Sequence, residues 1–404
     1  MVSRWPLIAT SAILGLSGAA CSDSTGPSGP SAAVPSTLSA GGHHICRITQ
    51  DGTAVCWGRA DAGQLGTDST PVMSVPVQAA AGDVRFTSIA AGGLHTCALT
   101  ADGQAWCWGQ NDVGQAGLPI SMNQVCGNPI HGWRCVPRPH PLDTTIRFQA
   151  LIAGSANTCG FALDGSAYCW GSNGSGQLGA TAPDVCGSTS CSISPVLLPA
   201  QPRLRSLSVG SGAHLCGLTS DGTAYCWGSN SYGQLGIGTV GDNRQVPTQV
   251  SGQIKFKSIA VGGQHTCALD TSGLPWCWGG DILPPGEGGV SLSAVPVAIA
   301  ASPNFADIIT GTWAACGRTA QGQAFCWGIN AYGEMGITPS GLTTRYSMPQ
   351  RMTTSLQWRI LVGSHGTFCG LTSALETWCW GFGDYGELGP VHQQSAVPVR
   401  IGGV

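Results

Sequence analysis

Residues 86–117, FTSIAAGGLHTCALTADGQAWCWGQNDVGQAG, hold two cysteines ten positions apart, Cys97 and Cys107, and the second is followed at once by Trp108 and Gly109. The same spacing recurs at Cys46 and Cys56, Cys159 and Cys169, Cys216 and Cys226, Cys267 and Cys277, Cys316 and Cys326, and Cys369 and Cys379. The first cysteines of successive pairs lie 51, 62, 57, 51, 49 and 53 residues apart, at or just above the periods of solenoids and propellers. Each copy is one supersecondary module, and its short apolar runs between turn residues read as strands, which makes the chain all-β.

The turn inside each pair follows from spacing. Between Cys97 and Cys107 the loop Ala101-Asp102-Gly103 carries glycine third, where a bulged hairpin needs the left-handed conformation. With Thr100 opposite Gln104, the ladder runs outward through Leu99 with Ala105 and Ala98 with Trp106 to Cys97 with Cys107. Such a non-hydrogen-bonded pair has α-carbons about 4.5 Å apart, at the short end of what a disulfide accepts. The turn is spelled Asp51-Gly52, Asp164-Gly165 and Asp221-Gly222, weakens to Ser272-Gly273 and Gln321-Gly322, and is lost at Ala374-Leu375. The last hairpin is therefore expected to be the least regular. Zinc binding is the competing reading, but zinc favours tight Cys-x2-Cys knuckles with a second ligand pair. Two further pairs, Cys126 with Cys135 and Cys186 with Cys191, fall in separate insertions and are expected to bridge locally, which leaves Cys21 over.

Residues 1–20 contain one charge, Arg4, then an apolar run ending in Gly18-Ala19-Ala20 before Cys21. This pattern is that of a secretory signal, and a cysteine at the first mature position resembles the lipobox of bacterial lipoproteins. Cys21 is the expected lipidation site. Residues 21–35 are a Ser/Pro/Gly-rich tether, and residues 36–404 carry the repeats. The expected location is the cell envelope, at the outer membrane or cell surface, with membrane attachment through the lipid alone.

Charged residues make up 9% of the chain, against a usual ~25%. Loss of residues 1–20 removes Arg4 only, leaving 16 basic and 20 acidic side chains, a net charge of −4. No basic stripe is available to neutralise phosphates, so nucleic-acid binding is excluded. Disulfides persist outside the cytosol, in agreement with export.

Two segments, AGGLHTCALTADG…CWGQNDVGQAG and VGSGAHLCGLTSDGTAYCWGSNSYGQLG, resemble the repeat of the regulator of chromosome condensation family, in its cysteine-bearing bacterial secreted branch. The resemblance covers residues 36–404 and implies a seven-bladed β-propeller with one hairpin disulfide per blade. It implies function only loosely, because propellers host unrelated sites. The C-terminal AVPVRIGGV is a seventh copy of the element that precedes each new module, and the two chain ends are expected to meet.

Histidines recur two residues before the first cysteine, at His44, His95, His214 and His265, with Asn157, Ala314 and Thr367 in the other copies. Four copies spread round a seven-fold ring lie too far apart to share one ion, so they are read as hydrogen-bonding parts of the repeat. No metal, cofactor or catalytic residue is assigned. The Gly174–Gly179 match to a dinucleotide fingerprint lies in a repeat turn with no helix after it, and Asn173-Gly174-Ser175 is a glycosylation sequon by pattern alone. Glu334 and Glu387 replace the glutamine found at Gln64, Gln177 and Gln234, and are read as solvated substitutions.

Departures from the repeat point elsewhere. Insertions at residues 118–145 and 180–200 occur at one register of modules two and three and are expected side by side on one face. Asn128, His131, Trp133 and Arg134 lie within the first insertion's expected disulfide loop, between Cys126 and Cys135, and an exposed Trp beside an Arg resembles an interaction hot spot. Module five loses its turn after Gly279-Gly280-Asp281. The favoured function is non-enzymatic binding of an extracytoplasmic protein or glycan by propeller-face loops of a monomer. Guanine-nucleotide exchange, by family analogy, and a propeller-face hydrolase or lyase are the alternatives.

Overall fold

The computed structural model describes residues 37–68, 73–127, 132–280, 282, 292–338, 344–390 and 393–403. Residues 1–36, and with them the expected signal, tether and Cys21, lie outside the described residues, as do Asn128 and His131.

Seven antiparallel sheets follow one another along the chain, each built from contiguous sequence. The first strands of successive sheets, from Leu38–Ala40 to Trp358–Ser364, pack side by side in a closed ring. They line a central cavity of about 330 Å³. The fold is the expected seven-bladed propeller.

Hairpin register agrees with the derivation from spacing. Leu99 faces Ala105, Ala98 faces Trp106 and Cys97 faces Cys107. Thr100 N–H donates to the Gln104 carbonyl (3.1 Å), and Gly103 adopts φ +80° in the turn. All seven hairpin pairs are bridged: Cys46 to Cys56, Cys97 to Cys107, Cys159 to Cys169, Cys216 to Cys226, Cys267 to Cys277, Cys316 to Cys326 and Cys369 to Cys379. Their Cα–Cα distances of 4.0–4.2 Å are slightly shorter than the spacing argument gave. Cys126 is bridged to Cys135 and Cys186 to Cys191, at 6.0 and 5.9 Å.

The last hairpin corrects an expectation. It keeps the full register from Thr367↔Gly381 to Leu371↔Thr377, with Leu375 at φ +61° in the glycine's place. Backbone hydrogen bonds Leu375 N–H to Thr372 O and Thr372 N–H to Glu376 O hold that conformation at 3.0 and 3.1 Å. The Leu375 side chain packs against the core between the last and first blades, and that packing offsets the cost of a positive φ.

Alternation puts each cysteine on one face of its blade and the following Trp on the other. Seven core clusters result, one per gap between blades. Cys46 and Cys56 pack with Trp108, Cys97 and Cys107 with Trp170, and Cys159 and Cys169 with Trp227. Cys216 and Cys226 pack with Trp278, Cys267 and Cys277 with Trp327, and Cys316 and Cys326 with Trp380. Cys369 and Cys379 pack with Trp57 of the first blade, which closes the ring. No strand is exchanged, since Leu38–Ala40 is the inner strand of the first blade and Gln394–Arg400 the outer strand of the seventh. Buried Arg47 adds hydrogen bonds to Leu375 O (3.1 Å) and Thr377 Oγ1 (2.9 Å) across this gap.

The two insertions each add a fifth strand, Gln124–Cys126 and Asp184–Cys186, outside the blade's outer strand. They are less separable from the blade than the sequence suggests. Trp133–Pro141 is itself the outer strand of the second blade and pairs with Ala105–Gln110.

Candidate functional site

One loop position and one neighbouring position recur round the same end of the disc. The loop position is the residue after each Gly of the Gly-Gln turn: Gln64, Gln115, Gln177, Gln234, Glu334 and Glu387. Its side chain folds back to accept a backbone N–H two residues earlier, Ala62 for Gln64 (2.9 Å) and Tyr232 for Gln234 (2.8 Å). In five of the six, all but Gln115, the backbone carbonyl accepts the indole N–H of the next blade, as Gln64 does from Trp108 (2.9 Å) and Glu387 from Trp57 (2.9 Å).

The repeated histidines belong to the same network. His44, His95 and His214 reach Thr96, Thr158 and Thr266 of the next blade at 2.8, 2.8 and 3.0 Å through Nε2. Each of these threonines donates its only hydroxyl proton to the Gln64, Gln115 or Gln234 carbonyl, so the imidazole must be the donor, protonated on Nε2. His265 has no such partner, because Ala315 stands where the threonine would be. Burial pulls all four histidines down to about 3, with the charge of neighbouring histidines adding to it at His44 and His214. All four are neutral, and His44, His95 and His214 are struts between blades. Among the described residues no three His, Cys, Asp or Glu side chains group as metal ligands.

Glu334 and Glu387 depart from the sequence reading. They are buried, at 1% and 0% exposure, rather than solvated. One oxygen of each does what glutamine does, accepting Tyr332 N–H (2.8 Å) or Tyr385 N–H (2.9 Å). The loop fold hides the side chain whichever residue is present, and a single sequence carries no signal of that burial. The second oxygen of each is buried without a hydrogen bond, and the two differ in what lies nearby. Glu387 Oε1 faces His43 Nδ1 of the first blade at 3.7 Å. Glu334 Oε1 is buried without a partner, and burial pushes its carboxyl up to about 7.

The neighbouring position explains the difference. It is the residue just before the repeat histidine: His43, Leu94, Ala156, Ala213, Gln264, Trp313 and Gly366. This residue lies against the loop residue of the preceding blade, as Leu94 and Gln64 both pack on Gly109, and Gly366 and Glu334 both pack on Gly381. His43 therefore covers Glu387, and Gly366 covers Glu334 with no side chain at all. A Cβ at Gly366 would stand 3.7 Å from Glu334 Oε1 and 3.2 Å from Phe382 Cβ.

Aromatic rings surround this part of the face. His43 lies 4.8 Å from the Tyr385 ring and 4.9 Å from that of His365, and Tyr332 meets Phe382 edge-on at 5.2 Å. Burial, reinforced by the charge of His43, lowers His365 to about 4. The Arg59 guanidinium sits 5.1 Å over the Tyr385 ring and pairs with both Asp61 oxygens at 2.7 Å.

The expected hot spot joins this surface at its edge. Trp133 is half-buried, not exposed, because its indole is hydrogen-bonded to Asp61 of the first blade. Burial opposes ionisation of Asp61, yet the hydrogen bond and charge of Arg59 together with Trp133 hold its carboxyl below the usual value. Arg134 is exposed, with its backbone N–H donating to Asp112 Oδ1 (2.9 Å).

Fold and face together define a disulfide-stapled seven-bladed repeat propeller, four-stranded in every blade but the second and third, which have five strands. The chain matches the RCC1-like domain family over residues 22–282 and belongs to that family. It is 31% identical over 250 residues to the ultraviolet-B receptor UVR8 of Arabidopsis thaliana, covering 60% of this chain and 52% of the plant protein. It is 28% identical over 262 residues to the human E3 ubiquitin-protein ligase HERC2, covering 62% of this chain and 5% of that one. Yeast RCC1 (Prp20), solved bound to Kap60, superposes with a TM-score of 0.73 at 20% identity, over 92% of this chain and 85% of its own. The chain thus spans about half the length of one curated relative and a small part of the other, 52% and 5%.

Proposed function

We propose that this chain is a non-enzymatic, exported binding scaffold, lipid-anchored through Cys21 in the cell envelope, whose loop face binds a protein or glycan. The observation that carries the reading is the set of seven hairpin disulfides whose sulfurs form the cores between blades. Disulfides built into every core suit an oxidising compartment, and a reducing cytosol would leave buried thiols in their place. Yeast RCC1, which shares this fold, was solved bound to a protein, Kap60. Nucleotide exchange on a cytosolic GTPase, the alternative from family analogy, conflicts with that compartment.

Two experiments test the reading. A reporter active only outside the cytosol, fused after the propeller, should be active with Cys21 present and lose its membrane fraction in Cys21→Ser. A pull-down from envelope extract should recover a partner that is reduced by Trp133→Ala with Arg134→Ala. Point substitutions are used because deleting residues 118–145 would excise the outer strand Trp133–Pro141. Cytosolic retention of the chain would overturn the reading.

A further inference from the structure

Cations are not shared evenly between the two ends of the disc. The hairpin turns, such as Asp221-Gly222, and the starts of the inner strands lie at the end opposite the loop face, because each inner strand runs antiparallel to its neighbour. Arg203, Arg205, Lys255, Lys257, Arg318 and Arg359 fall at that end on the fourth to seventh blades, and they include both lysines of the chain. Where those blades place Arg205, Lys257 and Arg359, the second and third carry Thr87 and Gln149. The sequence shows no basic run because four separate modules supply the six residues, and the fold gathers them.

Hydrogen bonds fix two of these cations without neutralising them. Arg205 donates through Nε to Thr219 O (3.0 Å) and through Nη2 to Lys257 O of the next blade (3.1 Å), and Lys257 Nζ donates to Phe305 O of the blade after (2.7 Å). The carboxylates of this sector are engaged elsewhere. Asp221 pairs with Lys255 (2.6 Å), Asp307 with Arg318 and Glu376 with Arg400 (2.9 Å). Asp270 turns back on its own hairpin to accept the N–H groups of Ser272 (2.9 Å), Gly273 (3.0 Å) and Leu274 (3.1 Å). Arg203, Arg205, Lys257 and Arg359 are left without a carboxylate partner among the described residues. On the loop face, by contrast, Arg59 pairs with Asp61 and Arg138 with Asp68. The chain also enters the propeller at the hairpin end. Thr37 O accepts Ile48 N–H at 2.9 Å where the second strand of the first blade ends, and Cys21 lies sixteen residues before Thr37.

We propose that this basic sector rests on the anionic phospholipid headgroups of the membrane that holds the Cys21 anchor, so that the loop face points away from the lipid. Each Lys or Arg near an anionic surface contributes about fivefold to binding, and tethering at Cys21 makes the encounter intramolecular, where weak attraction is enough. The lipid supplies attachment and the cations supply orientation. Trp133 and Arg134 are then turned toward partners outside.

The proposal rests on the lipid-anchor reading above, and its test uses the purified mature chain with Cys21→Ser, in which no acyl chain can contribute, so that face and anchor fail separately. The chain would be sedimented with vesicles of phosphatidylcholine containing phosphatidylglycerol and with vesicles of phosphatidylcholine alone. It should bind the first and not the second, and binding should fall as salt shortens the screening length. Arg203→Gln with Arg359→Gln should lower affinity at least about tenfold. Arg244→Glu, at the loop-face start of the outer strand Arg244–Gln249, changes net charge by the same two units and should leave affinity unchanged; equal melting of the variants shows that the fold is intact. No detectable binding to the anionic vesicles, equal binding to phosphatidylcholine, insensitivity to salt, or equal effects of the two variants overturns the sector. A DNA duplex that competes as strongly per phosphate as the anionic vesicles overturns the lipid source. Failure of this assay leaves export, anchoring at Cys21 and the pull-down through Trp133 and Arg134 untouched.

Discussion

The indole N–H of Trp57 donates to the backbone carbonyl of Glu387 at 2.9 Å, across 330 residues of sequence. The bond is the same one that Trp108 makes to Gln64 and Trp227 to Gln177. What joins consecutive blades elsewhere here joins the last blade to the first, so closure needs no special device.

Trp57→Phe keeps an aromatic ring and removes the donor, leaving the Glu387 carbonyl unpaired. A loss of about 1–2 kcal/mol is expected, read as a lower denaturant midpoint. Trp227→Phe, at an internal gap, should cost a similar amount if the ring of blades unfolds as one unit. A Trp57→Phe protein as stable as the parent would show that the closing gap contributes little.

Acid should destabilise the propeller through its repeat histidines. Their folded pKa near 3 lies below the free value of 6.5, so the unfolded chain takes protons first as pH falls. Their stabilisation is complete above pH 6.5 and is lost between 6.5 and 3, at up to about 1.4 kcal/mol per pH unit for each histidine. His95→Asn, which copies Asn157, should make the fall in unfolding free energy between about pH 7 and 4.5 shallower. Identical slopes for parent and variant would remove this account.

Glu334 should act with the opposite sign. Its folded pKa near 7 lies above the free value of 4.5, so the folded state holds the proton longer and the carboxyl penalises folding increasingly as pH rises from 4.5 through 7. Glu334→Gln should therefore raise stability by on the order of 2 kcal/mol at about pH 8 and by little at about pH 4.5. A gain independent of pH would point to packing instead of charge.

The two kinds of disulfide should differ in weight. Cys97 and Cys107 are fully buried against Trp170, whereas the bridge from Cys126 to Cys135 staples an added edge strand to the strand beside it. Replacing Cys97 and Cys107 by alanine should cost at least about 2–3 kcal/mol, plus the cavity left between blades. The double alanine at Cys126 and Cys135 should lower the melting temperature by clearly less. Equal losses would mean that loop closure, and not core packing, sets the contribution.

The repeat made much of this legible. A hairpin register from Thr100 and Gln104 out to Cys97 and Cys107 follows from loop length and the period of two, both local rules. The same rules misjudged Ala374-Leu375, where packing from the first blade holds Leu375 at a positive φ. They also misplaced Glu334 and Glu387 in solvent and Trp133 on the exposed surface. Burial of those side chains depends on what the neighbouring blade places above them, and no spacing within one module contains that information.

Sequence alone determined the number of blades, the hairpin register, the cysteine pairing and the character of the histidines as parts of the repeat, because each is set by a module that recurs seven times. Tertiary structure decided which departures from the repeat matter. His43 comes to lie beside Glu387, and Gly366 over Glu334, because ring closure stacks each blade on the loop of the one before it. That juxtaposition joins residues of neighbouring modules, or at the closing gap from opposite ends of the chain, and only side-chain geometry distinguishes a carboxylate with a neighbour from one without.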